Sequence, residues 1–272
     1  MRLEGIIKYI QDGSYLKLKQ EKEKLCLLKT MIRNEQDALD IKRLVWKKYG
    51  VVGEFEICKQ YSYNHLDLNV LLLDLGIFHQ NTYIKGEELS EEEKEQLKYQ
   101  NIPKKYFLKY TANKDMREQI SQSHFDSSYP SIDDIGLTRK VGLWRETYNK
   151  YEKLNSSWEK EKVRTLTSYD WMLEEKITIR GGMLSVVESP IRYRTDMVID
   201  ILGLEATLKM ARIDPNKLVE FTARGFLTKK DLKNFRKIIA VNRRYLLMTI
   251  QKEMKKKEYW ITKMTQISNL GK

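Results

Sequence analysis

The sequence predicts a mainly α fold: a multi-helix protein with one or two small β-hairpins and a C-terminal module of short helices. Three observations lead there. Breakers are scarce, 4 Pro and 13 Gly in 272 residues, while 32% of residues are charged, a composition of long helices with solvated faces rather than of a disordered chain. Apolar residues recur at intervals of three and four over long stretches. Capping residues punctuate those stretches where helices would begin and end.

The elements follow in order. Ile6, Ile7 and Ile10 form an apolar stripe closed by Asp12-Gly13-Ser14, after which Leu16, Leu25, Leu28, Ile32, Leu39, Ile41, Leu44 and Val45 recur at helical intervals up to Tyr49-Gly50. These read as one short helix and one or two long ones, and the long segment alternates its surface charges, which favours ordinary packing over a partner-binding coiled coil. Residues 51–63, rich in β-branched and aromatic side chains, suggest a strand, and 66–78 reads as a buried helix ended by Gly76. Ser90 followed by Glu91-Glu92-Glu93 is an N-cap with an acidic first turn, so that acid run is structural. Residues 121–135, polar and carrying Pro130, read as a loop. Residues 137–172 return to helix, with Trp144, Tyr148, Tyr151, Leu154 and Trp158 near one face, a stripe assigned to the core rather than to base stacking. Alternation on both sides of Gly181-Gly182 predicts a hairpin over 176–188, with Arg180 at its tip as a solvated turn residue.

These divisions suggest a helical or mixed N-terminal domain over 1–125, a helical linker region ending in the hairpin over 126–188, and a basic helical module over 189–272. A hydrophobic content of 41% suffices for a real core. Two cysteines, Cys26 and Cys58, without a signal peptide, point to a reducing compartment and no disulfide. The longest apolar run, 68–78, is interrupted by Asn69, Asp74 and Gly76 and is too short to cross a membrane. A cytoplasmic location follows, and the Lys, Ile, Asn and Tyr content suits an AT-rich bacterial or phage genome.

Charge is segregated. Residues 189–272 hold 19 Lys/Arg against 8 Asp/Glu, whereas residues 1–188 hold 31 against 30, so nearly all of the net +12 lies in the last third. Cations clustered on one surface attract phosphates, so a nucleic acid is the expected partner. After Ser189-Pro190 four helical units are expected, at 192–202, 204–211, 215–224 and 228–241. Asp214 caps the third with Pro215 at its first position, Gly225 ends it, and Thr228-x-x-Asp231 caps the fourth. Leu208, Ile213, Leu218, Phe221, Leu232 and Phe235 are available for a shared core.

With the short turn Arg212-Ile213-Asp214, residues 192–242 resemble the five-helix repressor fold of the Cro type, in the stretch LEATLKMARIDPNKLVEFTARGFLTKKDLKNFRKI. The chain departs from that family at Leu208, Arg212 and Thr222 and in lacking a Gln at the start of the second helix. The resemblance implies a recognition helix over 215–224 whose Asn216, Lys217 and Glu220 face base edges, with Lys229, Lys230, Lys233 and Arg236 on phosphates and Arg224 on the backbone. A final amphipathic helix over 243–267 adds Arg243 and Arg244. It is expected to dock on the protein, ahead of an oligomerisation role and a membrane-surface role.

Catalytic signatures are weak. His65, His79 and His124 show no metal or tyrosine-recombinase spacing, and no phosphate loop, zinc ligand set or nucleophile elbow appears. The best enzyme candidate is an acid, acid-x-Lys nuclease arrangement of Asp170, Glu174 and Lys176. The sequence therefore points to a non-enzymatic role without cofactor or metal: a duplex-DNA-binding regulator or accessory factor of a phage or mobile element, expected to form a homo-oligomer and to stay off membranes. The alternative is a protein-interaction factor, a virion or assembly component or an inhibitor of a host defence enzyme.

Overall fold

In chain order the protein runs α1 (Glu4–Gln11), α2 (Ser14–Ala38), β1 (Arg43–Trp46), β2 (Val51–Tyr63), α3 (His65–Asp74), α4 (Phe78–Asn81), β3 (Thr82–Lys85), α5 (Glu91–Gln96), β4 (Tyr106–Ala112), α6 (Lys114–Gln122), α7 (Leu137–Ser168), β5 (Lys176–Ile179), β6 (Gly182–Glu188), β7 (Arg192–Arg194), α8 (Thr195–Leu202), α9 (Leu204–Met210), β8 (Arg212–Ile213), α10 (Pro215–Ala223), α11 (Lys229–Asn234), β9 (Arg236–Thr249) and α12 (Ile250–Asn269). The computed structural model describes residues 3–99, 101–122, 135–168 and 176–269. Among these, the strands form three three-stranded antiparallel sheets, ordered β1-β2-β9, β7-β3-β8 and β4-β6-β5.

The mainly α expectation is therefore corrected to a mixed α/β fold. Strands β3, β7 and β8 hold only four, three and two residues, too few for period-two alternation to register in a sequence. Residues 43–46, assigned above to helix, form β1, because α2 stops at Ala38 and Asp40 takes a positive φ of 50°. The helices expected over 192–202 and 228–241 are shortened by β7 and β9, and the final helix begins at Ile250 rather than at 243. Most of the loop expected over 121–135, together with Asp170 and Glu174, lies outside the described residues.

Local signals succeed where a cap or a glycine sets them. Gly13 (φ 81°) divides α1 from α2, and Gly76 (φ 68°) follows α3. Ser90 and Glu93 complete a capping box at α5. The β5–β6 hairpin turns at Arg180-Gly181, with Ile179 opposite Gly182 and Gly181 at φ 97°. Gly182 serves a different need: a Cβ there would lie 2.3 Å from the Thr111 carbonyl of β4, so only glycine admits this neighbour.

The chain divides into two units, each assembled from several stretches. The first comprises Met1–Glu56, Tyr106–Glu188 and Tyr245–Glu253, and the second comprises Ile57–Lys105, Ser189–Arg244 and Met254–Lys272. In the first, Tyr9, Tyr15 and Trp158 gather with Tyr110 (Tyr15 to Trp158 4.9 Å, Tyr15 to Tyr110 4.6 Å) over Leu108 and Leu184. Burial pushes the Tyr9 and Tyr15 hydroxyls up to about 12. A second cluster joins Leu28 and Ile32 of α2, Val51 and Phe55 of β2, Val141 and Trp144 of α7, and Tyr245 and Leu247 of β9. Its polar centre is Gln36, fully buried, which donates to the Ile41 and Gly53 carbonyls at 2.9 and 3.2 Å and accepts from the Tyr245 hydroxyl at 2.9 Å. The aromatic stripe of α7 thus belongs to the core, with Trp144 and Trp158 buried and Tyr148, Tyr151 and Leu154 packed against the same clusters.

The second unit has one core, including Leu68, Leu72, Phe78, Ile84, Tyr193, Val198, Ile213, Leu218, Phe221 and Leu232. Its small sheet places Ile84 opposite Tyr193 and Thr82 opposite Ile213. The fully buried Asn69 donates to the Leu208 and Ala211 carbonyls at 2.9 and 3.0 Å, which satisfies the C-terminal end of α9.

The close approach at Gly182 makes a direct test. Gly182→Ala should lower unfolding free energy by about 1–3 kcal/mol, read by urea denaturation. Gly136→Ala, with no atom within 4 Å of the added methyl, should change it by less than about 0.5 kcal/mol.

Candidate nucleic-acid interface

Of the ten residues expected to contact nucleic acid, nine fall on three consecutive elements of the second unit, and Arg224 follows directly on the first of them. On α10, Asp214 caps through the Asn216 N–H (2.9 Å) with Pro215 in the first turn, while Leu218 and Phe221 point into the core. This leaves Asn216 and Lys217 exposed and Glu220 half-buried. Lys217 Nζ lies 3.8 Å from Glu220 Oε2, so the outer face of α10 presents little net charge. Arg224 is committed inward: its guanidinium sits 5.4 Å from both the Phe221 and Phe226 rings, and its Nε is buried without a hydrogen-bond partner.

The segment preceding α10 is not a free turn. Arg212 and Ile213 form β8, bonded to Thr82 and Tyr83 of β3, and Arg212 Nε donates to Glu88 Oε1 at 2.8 Å. Residues 204–224 are two helices separated by this strand, not one rod.

Cation density lies farther along. Residues 229–244 contain Lys229, Lys230, Lys233, Arg236, Lys237, Arg243 and Arg244 against one acid, Asp231. That acid is engaged in the α11 capping box, accepting from the Thr228 N–H and hydroxyl at 2.9 and 2.8 Å. The Thr228 backbone bond, then its side chain, hold the Asp231 carboxyl below its ordinary value. Lys230 and Lys233 are exposed on α11, and the side chain of Lys229 lies outside the described residues. Arg236 lies over the Tyr61 ring at 4.3 Å. Arg243 and Arg244 are exposed on β9, not on the final helix as expected, because the chain stays extended to Thr249.

Sequence reasoning placed the strand over 51–63 but missed β9 and its pairing with it. Residues 57–62 of β2 and 236–244 of β9 contain no buried residue, and together they carry Lys59, Arg236, Lys237, Arg243 and Arg244 with no carboxylate. Ile57, Ile238, Ile239 and Val241 on the same segments are also exposed. The available signal was the absence of any acid from both 57–63 and 236–244; helix periodicity read across 228–241 concealed the strand. Along α12 from Met254 to Thr265 no side chain is buried, and Trp260 and Ile261 are 43% and 66% exposed.

Within the second unit a cavity of about 490 Å³ is lined by Tyr63, His65, residues of α10 and α11, Arg236 and Met264. Among the described residues no cluster of three or more His, Cys, Asp or Glu is placed to hold a metal, and no helix is long and apolar enough to cross a membrane. Comparison with protein-family models, with curated proteins and with solved structures finds no match to this chain.

His65 provides a pH test of the second unit. Its Nδ1 is buried without a partner; burial, then the Arg212 charge, lower its pKa, and Glu88 opposes them. A folded pKa below the unfolded value of 6.5 means that its contribution is present above that value and lost as pH falls toward the folded pKa. Melting temperature should therefore decline from about pH 7 to 5, and His65→Gln should flatten that part of the profile; an unchanged slope in the variant would assign the decline elsewhere.

Proposed function

We propose that this chain is a non-enzymatic nucleic-acid-binding protein, acting on duplex DNA in the cytoplasm of a bacterial or phage-infected cell, with the basic run 229–244 as its main contact surface. The observation that carries this reading is the β2–β9 strand pair, open to solvent over 57–62 and 236–244, with five cations and no carboxylate. A two-stranded ribbon, its strands about 4.8 Å apart, fits a major groove about 12 Å wide. Arginine and lysine along both strands meet phosphates, while Asn242 and the ribbon's apolar side chains are available to base edges and thymine methyl groups. Lys230 and Lys233 extend the phosphate contacts from α11. In this reading α10, with Lys217 balanced by Glu220, is secondary, and the likeness of 192–242 to a repressor fold concerns a neighbouring helical element rather than the principal surface. A regulator or accessory factor, assembled as a homo-oligomer, is the role most consistent with these features.

The exposed Ile57, Ile238, Ile239, Val241, Trp260 and Ile261 favour a second reading, in which the same region meets a phage or host protein. Salt separates the two. In fluorescence polarisation with random duplex, single-stranded DNA and RNA, duplex affinity should fall steeply from about 50 to 200 mM salt. Replacing Lys237, Arg243 and Arg244 by Ala should weaken all sequences alike and make the log–log salt slope shallower by roughly 2–3. Absence of binding at low salt, or an unchanged slope, would reject the nucleic-acid reading and leave the protein partner. Asn216→Ala or Lys217→Ala should change sequence preference at one position only if α10 reads bases.

A further inference from the structure

The cavity in the second unit has apolar walls that the nucleic-acid reading does not use. Its volume, about 490 Å³, falls within the range of small-molecule sites. Leu218 and Val219 of α10, Leu232 of α11, Ile213 of β8 and Met264 of α12 supply apolar walls. The Thr222 hydroxyl, also in the lining, is already donated to the Leu218 carbonyl at 2.7 Å. Polar capacity therefore rests with Tyr63, His65 and Arg236.

Arg236 is the one lining group with a permanent charge. Tyr61 covers one face of its guanidinium, at 4.3 Å from the ring centroid, and no carboxylate pairs with it among the described residues. The N–H donors of a guanidinium lie in its own plane, so a ring over one face leaves those edges able to grip a carboxylate through two parallel hydrogen bonds. His65 stays neutral at pH 7 because burial and the Arg212 charge both disfavour its cation. The cavity thus offers one positive charge at the edge of an apolar chamber. A nucleotide or inorganic phosphate needs several donors, whereas a single carboxylate on a hydrocarbon body needs one arginine and dry walls.

We propose that this cavity is a binding site for a small apolar carboxylic acid, its carboxylate on Arg236 and its hydrocarbon portion against Leu218, Val219, Leu232 and Met264. The site shares Arg236 with the basic strand pair, but acid binding at it does not require that the pair bind nucleic acid.

The test uses the full chain with octanoate and 1-octanol as probes, followed by calorimetry and by the Met264 methyl resonance in a methyl-13C-methionine sample, assigned with Met264→Leu. Octanoate should bind saturably and shift that resonance, and 1-octanol should bind roughly tenfold more weakly or worse, the worth of one charged hydrogen-bonded pair. Arg236→Gln should bring octanoate down to the level of the alcohol and leave the alcohol unchanged. Val219→Trp should block both by filling the chamber, and Ala223→Leu, a smaller change in the same wall, repeats that test if the Trp variant does not fold. The proposal is overturned if octanoate shows no saturable binding at millimolar concentration, if acid and alcohol bind equally, or if Arg236→Gln leaves octanoate affinity intact.

Discussion

The pairing of β2 with β9 is the constraint on which the rest of the architecture depends. It joins residues 51–63 to residues 236–249, and closing so long a loop costs entropy that no local contact repays. Separate interactions secure the two ends. Toward one, the Tyr245 hydroxyl bonds the buried Gln36, and Gly53 makes room for both, since a Cβ there would lie 2.3 Å from that hydroxyl and 2.6 Å from Gln36 Oε1. Toward the other, the Asn64 N–H donates to the Phe235 carbonyl at 2.9 Å and Arg236 covers Tyr61. The chain changes unit within both strands, at 56/57 and 244/245, and again at 105/106, 188/189 and 253/254, so neither unit is a contiguous stretch. Folding should accordingly be slow, governed by non-local contacts rather than by helix propensity.

The same pairing decides how charge is displayed. In the second unit most acids are already engaged: Asp196 with Arg194, Glu205 with Lys209, Glu88 with the distant Arg212, Asp214 and Asp231 in helix caps. Such exposed pairs contribute little stability, but they cancel nearby cations and leave the run 229–244 as the dominant positive stretch. An extended ribbon spaces those cations along a line, whereas the helix expected over 228–241 would have distributed them around a cylinder. The proposed contact with a phosphate backbone depends on that difference.

Legibility followed the range of the determining interaction. The caps at Ser90, Asp214 and Thr228 and the glycines at 13, 76 and 181 act within a few residues, and the elements they bound were readable. The buried faces of α7 and α10 were readable too, since a helix that packs on one side writes its period into the chain. By contrast β3, β7 and β8 are made strands by partners far away in sequence, and β1, though it pairs with the next strand, is only four residues long; nothing in RLVW or TYIK distinguishes them from a frayed helix end or a loop. Strand β9 was missed for another reason: the capping signal at Thr228 is genuine, but α11 stops at Asn234, and apolar residues beyond it satisfy either period over a short window. Of the candidate site, the cations were found from charge alone. Their arrangement, the companion residues Lys59 and Tyr61, and the inward commitment of Arg212 and Arg224 were not.

By itself the sequence determined where positive charge accumulates, where helices begin and end, and which aromatic residues enter a core, because composition, capping and periodicity are properties of neighbouring residues. Only the tertiary structure decided that residues 57–62 and 236–244 form one exposed basic ribbon, and that Arg236 meets Tyr61 at the edge of an apolar chamber. Those outcomes arise from hydrogen bonds and burial between residues more than 170 positions apart, and no local pattern encodes which distant segment a strand will find.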